Sequence, residues 1–139
     1  MSEPLLATLL AAEHAAVYGY GVLGARLEEV SRAAARTAVV SHRSRRDQLV
    51  ALLRSFDVVP EPALPAYDVD ARTPAQALAL ATRLEDGLSV RWRDLVVGTD
   101  DRSLRELGVA GLQETAVRAA QWRLLAGDQQ VTLALPGVA

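Results

Sequence analysis

The sequence predicts an all-α fold: four long helices in two antiparallel hairpins, joined by a long proline-rich crossover between helices 2 and 3. Three observations carry this. Half of the 139 residues are hydrophobic but only 4% are aromatic, so the core must be built from Ala, Leu and Val, which suits closely packed helices. Apolar residues recur at helical spacing in four separate stretches. Pro60, Pro62 and Pro65 interrupt the chain between the second and third of them, where three prolines in six residues forbid a helix and favour an extended path. The length fits one domain, residues 1–139.

Helix 1 is expected to start near Ser2, with Pro4 in its first turn, and to run to about Glu28 or Glu29. Leu6, Leu9, Leu10, Glu13, Val17, Tyr20, Leu23 and Leu27 form its apolar stripe. Gly19, Gly21 and Gly24 inside it cost roughly 1 kcal/mol each relative to Ala and suggest close approach by a neighbouring helix. A tight turn is placed near Glu29–Ser31, with Ser31 capping helix 2, which runs from about Arg32 to Phe56 and buries Ala35, Ala38, Val39, His42, Arg46, Leu49 and Leu53. The proline-rich segment can span the whole length of a bundle at roughly 3.1 Å per residue. Thr73 and Pro74 open helix 3, whose stripe is Leu78, Ala81, Glu85, Leu88, Trp92 and Leu95. Helix 4 begins near Asp101, carries Leu104, Leu107, Gly111, Glu114, Val117 or Arg118, Gln121 and Leu125, and ends at Gly127. The tail from Val131 is expected to lie extended over the bundle. One long crossover between two hairpins is the ferritin-like arrangement of helices.

Composition excludes several chemistries. All 15 basic residues are Arg, so no lysine Schiff base can form. The absence of Cys removes disulfides, thiolate zinc sites, iron–sulfur clusters and cysteine nucleophiles. A net charge of −2 gives no global attraction to nucleic acid. The acidic start and the interruption of the first apolar run by Glu13 and His14 argue against a signal peptide or a membrane span, so a cytoplasmic protein is expected. No Gly-rich phosphate loop and no Ser–His–Asp arrangement is readable.

The polar residues inside the stripes mark the candidate site, because a buried charge must be paired, protonated or bound to a metal. Counting from a turn near Val30, Glu13 lies ~17 residues before and Arg46 ~16 after, at one height along the bundle. From a turn near Asp100, Glu85 lies ~15 before and Glu114 ~14 after. His42 falls about one turn away, level with Tyr18, and Arg118 can reach back to Glu114. The expectation is a polar core of Glu13, Arg46, Glu85, Glu114 and Arg118, in which guanidinium groups stand where metal ions would otherwise sit. Di-iron and di-manganese bundles use two Glu-x-x-His pairs, and this chain has none. No cofactor is therefore expected; the alternative is a single iron or manganese ion on Glu13, His42, Glu85 and Glu114, serving an oxidoreductase or an iron-binding protein. A second alternative is a small-molecule pocket among Tyr18, His42 and Trp92. Self-association through an Ala/Gly-rich helical face is the partner expected, with neither nucleic acid nor membrane.

The run from Ala12 to Gly24, the segment His42-Arg43-Ser44-Arg45-Arg46-Asp47, the pair Trp122-Arg123 and the closing Leu135-Pro136-Gly137 together resemble an actinobacterial family of domains of unknown function placed in the ferritin-like superfamily. The resemblance covers nearly the whole chain. It implies a ferritin-like bundle whose metal motifs are missing, and it carries no activity with it.

Overall fold

A computed structural model of the chain describes residues 2–138. It consists of four helices, α1 (Glu3–Gly24), α2 (Glu29–Ser55), α3 (Pro74–Gly98) and α4 (Arg102–Ala126), and contains no strand among the described residues. Residues 25–28 and 99–101 make the two short links, and residues 56–73 the long one. Each boundary has a local cause. Thr73 accepts a hydrogen bond from the Gln76 amide and Asp101 accepts one from the Leu104 amide, so α3 and α4 carry side-chain caps. The end of α2 is closed by bonds from the Asp57 amide to the Arg54 carbonyl and from the Val58 amide to the Leu53 carbonyl, with Asp57 in the left-handed region at φ 59°. Gly127 supplies the same conformation after α4, at φ 77°.

Two expectations about the first hairpin are corrected. Ser2 does not cap α1; its Oγ pairs with Thr99 Oγ1 at 2.7 Å and ties the start of α1 to the end of α3. The turn comes earlier than Glu29–Ser31: α1 ends at Gly24, Glu28 stands at the N-cap of α2, and α2 already includes Ser31. The apolar pattern conceals this break, because the turn folds Leu27 inward and leaves it 2% exposed, as a further helical turn would have done.

Helix directions follow from who meets whom. Ser2 meets Thr99, Leu5 lies beside Gly98, and Tyr20 reaches Glu85, so α1 and α3 run antiparallel. α1 is also antiparallel to α2 across its short turn, and α3 to α4. α2 and α3 consequently point the same way, and residues 56–73 must travel the length of the bundle. They do so alongside α1. His14 Nε2 pairs with the Glu61 carbonyl at 3.1 Å, Tyr18 packs on Tyr67, and Arg26 donates to the Ala71 carbonyl at 3.2 Å.

The core has two apolar halves. Leu6, Leu9, Leu49, Leu53, Trp92 and Leu95 belong to one. Leu23, Leu27, Ala35, Ala77, Leu80 and Trp122 belong to the other. By length and composition α1 could cross a membrane, yet its apolar face is the wall of both halves and carries Glu13 fully buried.

α4 buries Leu104 and Gly111 as expected and otherwise turns a different face inward. Leu104, Gly108, Gly111, Thr115, Ala119 and Trp122 are buried, whereas Val117 is 58% exposed and Leu125 41%. The small residues admit α3: a Cβ at Gly111 would stand 2.2 Å from the Trp92 ring, and one at Gly108 2.7 Å from Val96. The tail crosses α3 and α4, and Gly137, buried at φ 82°, brings its backbone against the Ser89 carbonyl. On denaturant unfolding, Gly111→Ala should lose roughly 1–3 kcal/mol through overpacking against a ring that cannot withdraw. Gly21→Ala, where a Cβ meets nothing within 4 Å, should instead gain up to about 1 kcal/mol.

Candidate functional site

Between the apolar halves lies one polar layer. α1 brings Glu13, α2 brings His42 and α3 brings Glu85, each at 0–1% exposure. The imidazole bridges the two carboxylates: Nδ1 is 2.7 Å from Glu13 Oε2 and Nε2 is 2.7 Å from Glu85 Oε1. Glu85 is surrounded by donors. Tyr20 Oη donates to its Oε1 at 2.6 Å, and Arg118 of α4 donates to Oε2 at 3.3 Å. Arg118 also donates to Ser41 Oγ at 2.9 Å, and Trp122 Nε1 donates to Tyr20 Oη at 2.8 Å. All four helices thus contribute to one connected network.

The electrostatics follow from burial and contacts. Burial by itself would drive the His42 pKa down, but hydrogen bonds to Glu13 and Glu85, and their charges, outweigh it and push it up from 6.5 to about 9. Burial lifts the Glu13 carboxyl above its usual range, and the His42 hydrogen bond pulls it back in part. Burial and the Glu85 charge raise Tyr20, which stays a neutral donor. With the carboxylates ionised, two negative charges face one imidazolium and one guanidinium, and the layer is neutral. Among the described residues, Glu13 Oε1 and Trp92 Nε1 are the buried side-chain atoms left without a partner.

The structure brings together Glu13, His42, Glu85 and Arg118 from the expected set, and places two members elsewhere. Arg46 is not in the layer: it points to the rim and pairs with Asp47 at 2.9 Å. Because the turn comes earlier than the count assumed, Glu13 lies 11 residues before the end of α1 at Gly24 and the α2 residue level with it is His42, 13 after Glu29, with Arg46 one helical turn further on. Glu114 is also at the rim, with a 41% exposed side chain, where Arg45 grips it with Nη2 2.5 Å from Oε1 and Nε 3.0 Å from Oε2. Arg118 turns to Glu85, not to Glu114. Tyr18, His42 and Trp92 line no common space: Tyr18 packs on Tyr67, His42 is in the polar layer, and Trp92 is in the first apolar half beneath Arg45. The sequence reading missed Tyr20 and Trp122 as members. Tyr20 had a legible signal, being a hydroxyl within an apolar stripe; Trp122, one turn after Arg118, had a weaker one.

The donor set can be tested against a metal ion. Both His42 nitrogens are spent on carboxylates, an imidazolium has no lone pair to offer, and Arg118 covers the second oxygen of Glu85. Glu114 is too far out to join. No group of three or more His, Asp or Glu among the described residues has an arrangement that could hold a metal ion. These residues do not fit an ion as they stand.

The family described as a domain of unknown function, DUF4439, matches residues 6–139. The chain belongs to that family. Its fold is shared by the crystal structure of a conserved hypothetical protein from Mycobacterium tuberculosis, with a TM-score of 0.85 and 30% identity over 88% of this chain and 94% of the other. Among curated proteins, none matches the sequence. The DUF4439 match thus covers α1 from Leu6 onward, the other three helices and every residue of the polar layer.

Two measurements probe the layer. His42→Leu, which leaves both carboxylates without their shared cation, should lose roughly 3–5 kcal/mol of unfolding free energy, while Arg46→Ala should change it by less than about 0.5 kcal/mol. The pH dependence has a fixed sign. A folded pKa raised from 6.5 to about 9 means the native state keeps a proton that the unfolded chain releases, so this stability is fully present below pH 6.5 and is lost as pH rises through about 9. The raised Glu13 pKa has the same sign, with a loss that begins above its ordinary 4.5. Unfolding free energy should fall between pH 6.5 and about 9 by up to about 1.4 kcal/mol per pH unit, and a marginally stable His42→Leu variant should lose that slope.

Proposed function

We propose that this DUF4439 domain is a ferritin-like four-helix domain without a di-metal centre, in which a neutral Glu–His–Glu–Arg layer specifies helix register and performs no catalysis. One observation carries the reading: both nitrogens of His42 are engaged by buried carboxylates, so the lone pairs and charges an ion would need are already satisfied by N–H donors. The helix order with one long crossover supports the ferritin-like comparison. The mycobacterial relative supports an actinobacterial origin for the family.

A metal-binding reading has one observation in its favour. Glu13 Oε1 is buried and unpartnered, and a deprotonated His42 would free a nitrogen beside it. On that reading an iron or manganese ion would displace the shared proton and use Glu13, His42 and Glu85.

Elemental analysis of protein purified without chelator and then incubated with Fe(II) or Mn(II) separates the two. The expected result is no stoichiometric metal and an unchanged melting temperature. One ion per chain, lost in both Glu13→Gln and His42→Gln, would overturn the proposal.

A further inference from the structure

Two glycines of α1 have no packing reason. Gly19 has one, since a Cβ there would stand 2.7 Å from Leu84 Cδ1. At Gly21 and Gly24 a Cβ would meet nothing within 4 Å. Close approach by a neighbouring helix therefore accounts for the first and not for the other two, although glycine weakens a helix wherever it stands inside one.

Both open glycines line a groove of about 270 Å³ between α1 and α2. Arg32, Arg36 and Arg43 line the same groove from α2, where spacings of four and seven residues keep them on one face. None of the three guanidinium groups has a carboxylate within 4 Å among the described residues; the ion pairs formed by arginines involve Arg45, Arg46, Arg72, Arg91, Arg102, Arg118 and Arg123. In a chain of net charge −2 this is a local concentration of uncompensated positive charge. Apolar surface lies directly beside it, from Val17 and Val39, and Tyr20, held by its bond to Glu85, forms part of the wall.

We propose that this groove binds a small organic anion. Its carboxylate or phosphate head pairs with Arg36 and Arg43, and its apolar or aromatic body lies over Gly21 and Gly24. The guanidinium fork matches either oxyanion. The missing Cβ atoms provide the space for the body, and the volume suits a single ring or a short chain. The proposal does not rest on the function of the buried layer.

Isothermal titration with phenyl phosphate, benzoate, inorganic phosphate and benzylamine tests it. Phenyl phosphate or benzoate should bind about tenfold or more tightly than inorganic phosphate, and benzylamine should not bind. The double variant Arg36→Gln/Arg43→Gln, altering only exposed side chains, should weaken that binding by about tenfold. Gly21→Leu should abolish it with the helical circular dichroism unchanged, because the new side chain enters open space. Failure of both organic anions to bind at millimolar concentration, equal affinity for inorganic phosphate, or undiminished binding by either variant would overturn the proposal.

Discussion

A carboxylate cannot be taken out of water alone, and three helices of this domain are arranged around that constraint. Glu13 and Glu85 sit on separate helices at full burial, and a single imidazole on a third satisfies both. Each bond is 2.7 Å long, so neither helix can slide by even half a turn against α2 without stranding a charge. Apolar contacts between Leu, Ala and Val surfaces tolerate small slips, because their attraction is non-directional. A bidirectional hydrogen-bonded charge pair does not. The layer lies between two apolar halves of the core.

The fourth helix is attached by another principle. α4 packs against α3 through residues that lack bulk: Gly108 and Gly111 receive Val96 and Trp92, and Ser89 meets Thr115 at 2.8 Å. Its links to α2 run through long side chains, Arg118 to Ser41 and Arg45 to Glu114. The Arg45 guanidinium also lies 5.6 Å from the Trp92 ring centroid, covering the residue that α4 closes on. Arginine suits these roles because its planar fork can serve two acceptors at once. Arg118 does so, holding Glu85 and Ser41 from a position only 15% exposed.

How much of this was legible in the sequence depended on which signal each feature uses. Helix number, the cap at Thr73, the start of helix 4 near Asp101 and the proline-rich link were all readable, because they depend on local chemistry that proline, threonine, aspartate and glycine announce. Glu13 and Glu85 were readable as carboxylates within apolar stripes. Register was not. A turn placed too late in the count moved the partner of Glu13 from His42 to Arg46, since residues one helical turn apart share a face and periodicity cannot tell them apart. Beyond Leu104 and Gly111 the face of α4 was misread for another reason: Gly108 and Thr115 carry little hydrophobic signal, and their burial is decided by Val96 and Ser89 on a different helix.

Tyr20 shows how the buried layer reaches the surface. Its hydroxyl accepts from Trp122 and donates to Glu85, while its ring lies 5.3 Å from the His42 ring and borders the groove between α1 and α2. Because burial and the Glu85 charge keep the phenol protonated, it can only donate to that carboxylate, and the carboxylate is left free to hold the His42 proton. The direction of the hydrogen bonds is therefore fixed from Trp122 through Tyr20 to Glu85, and from His42 outward to both acids. A network with its donors and acceptors assigned in this way has one open position, Glu13 Oε1, at the end farthest from Tyr20 along the chain of bonds. Loss of the His42 proton would take from the layer the one cation that Glu13 and Glu85 share.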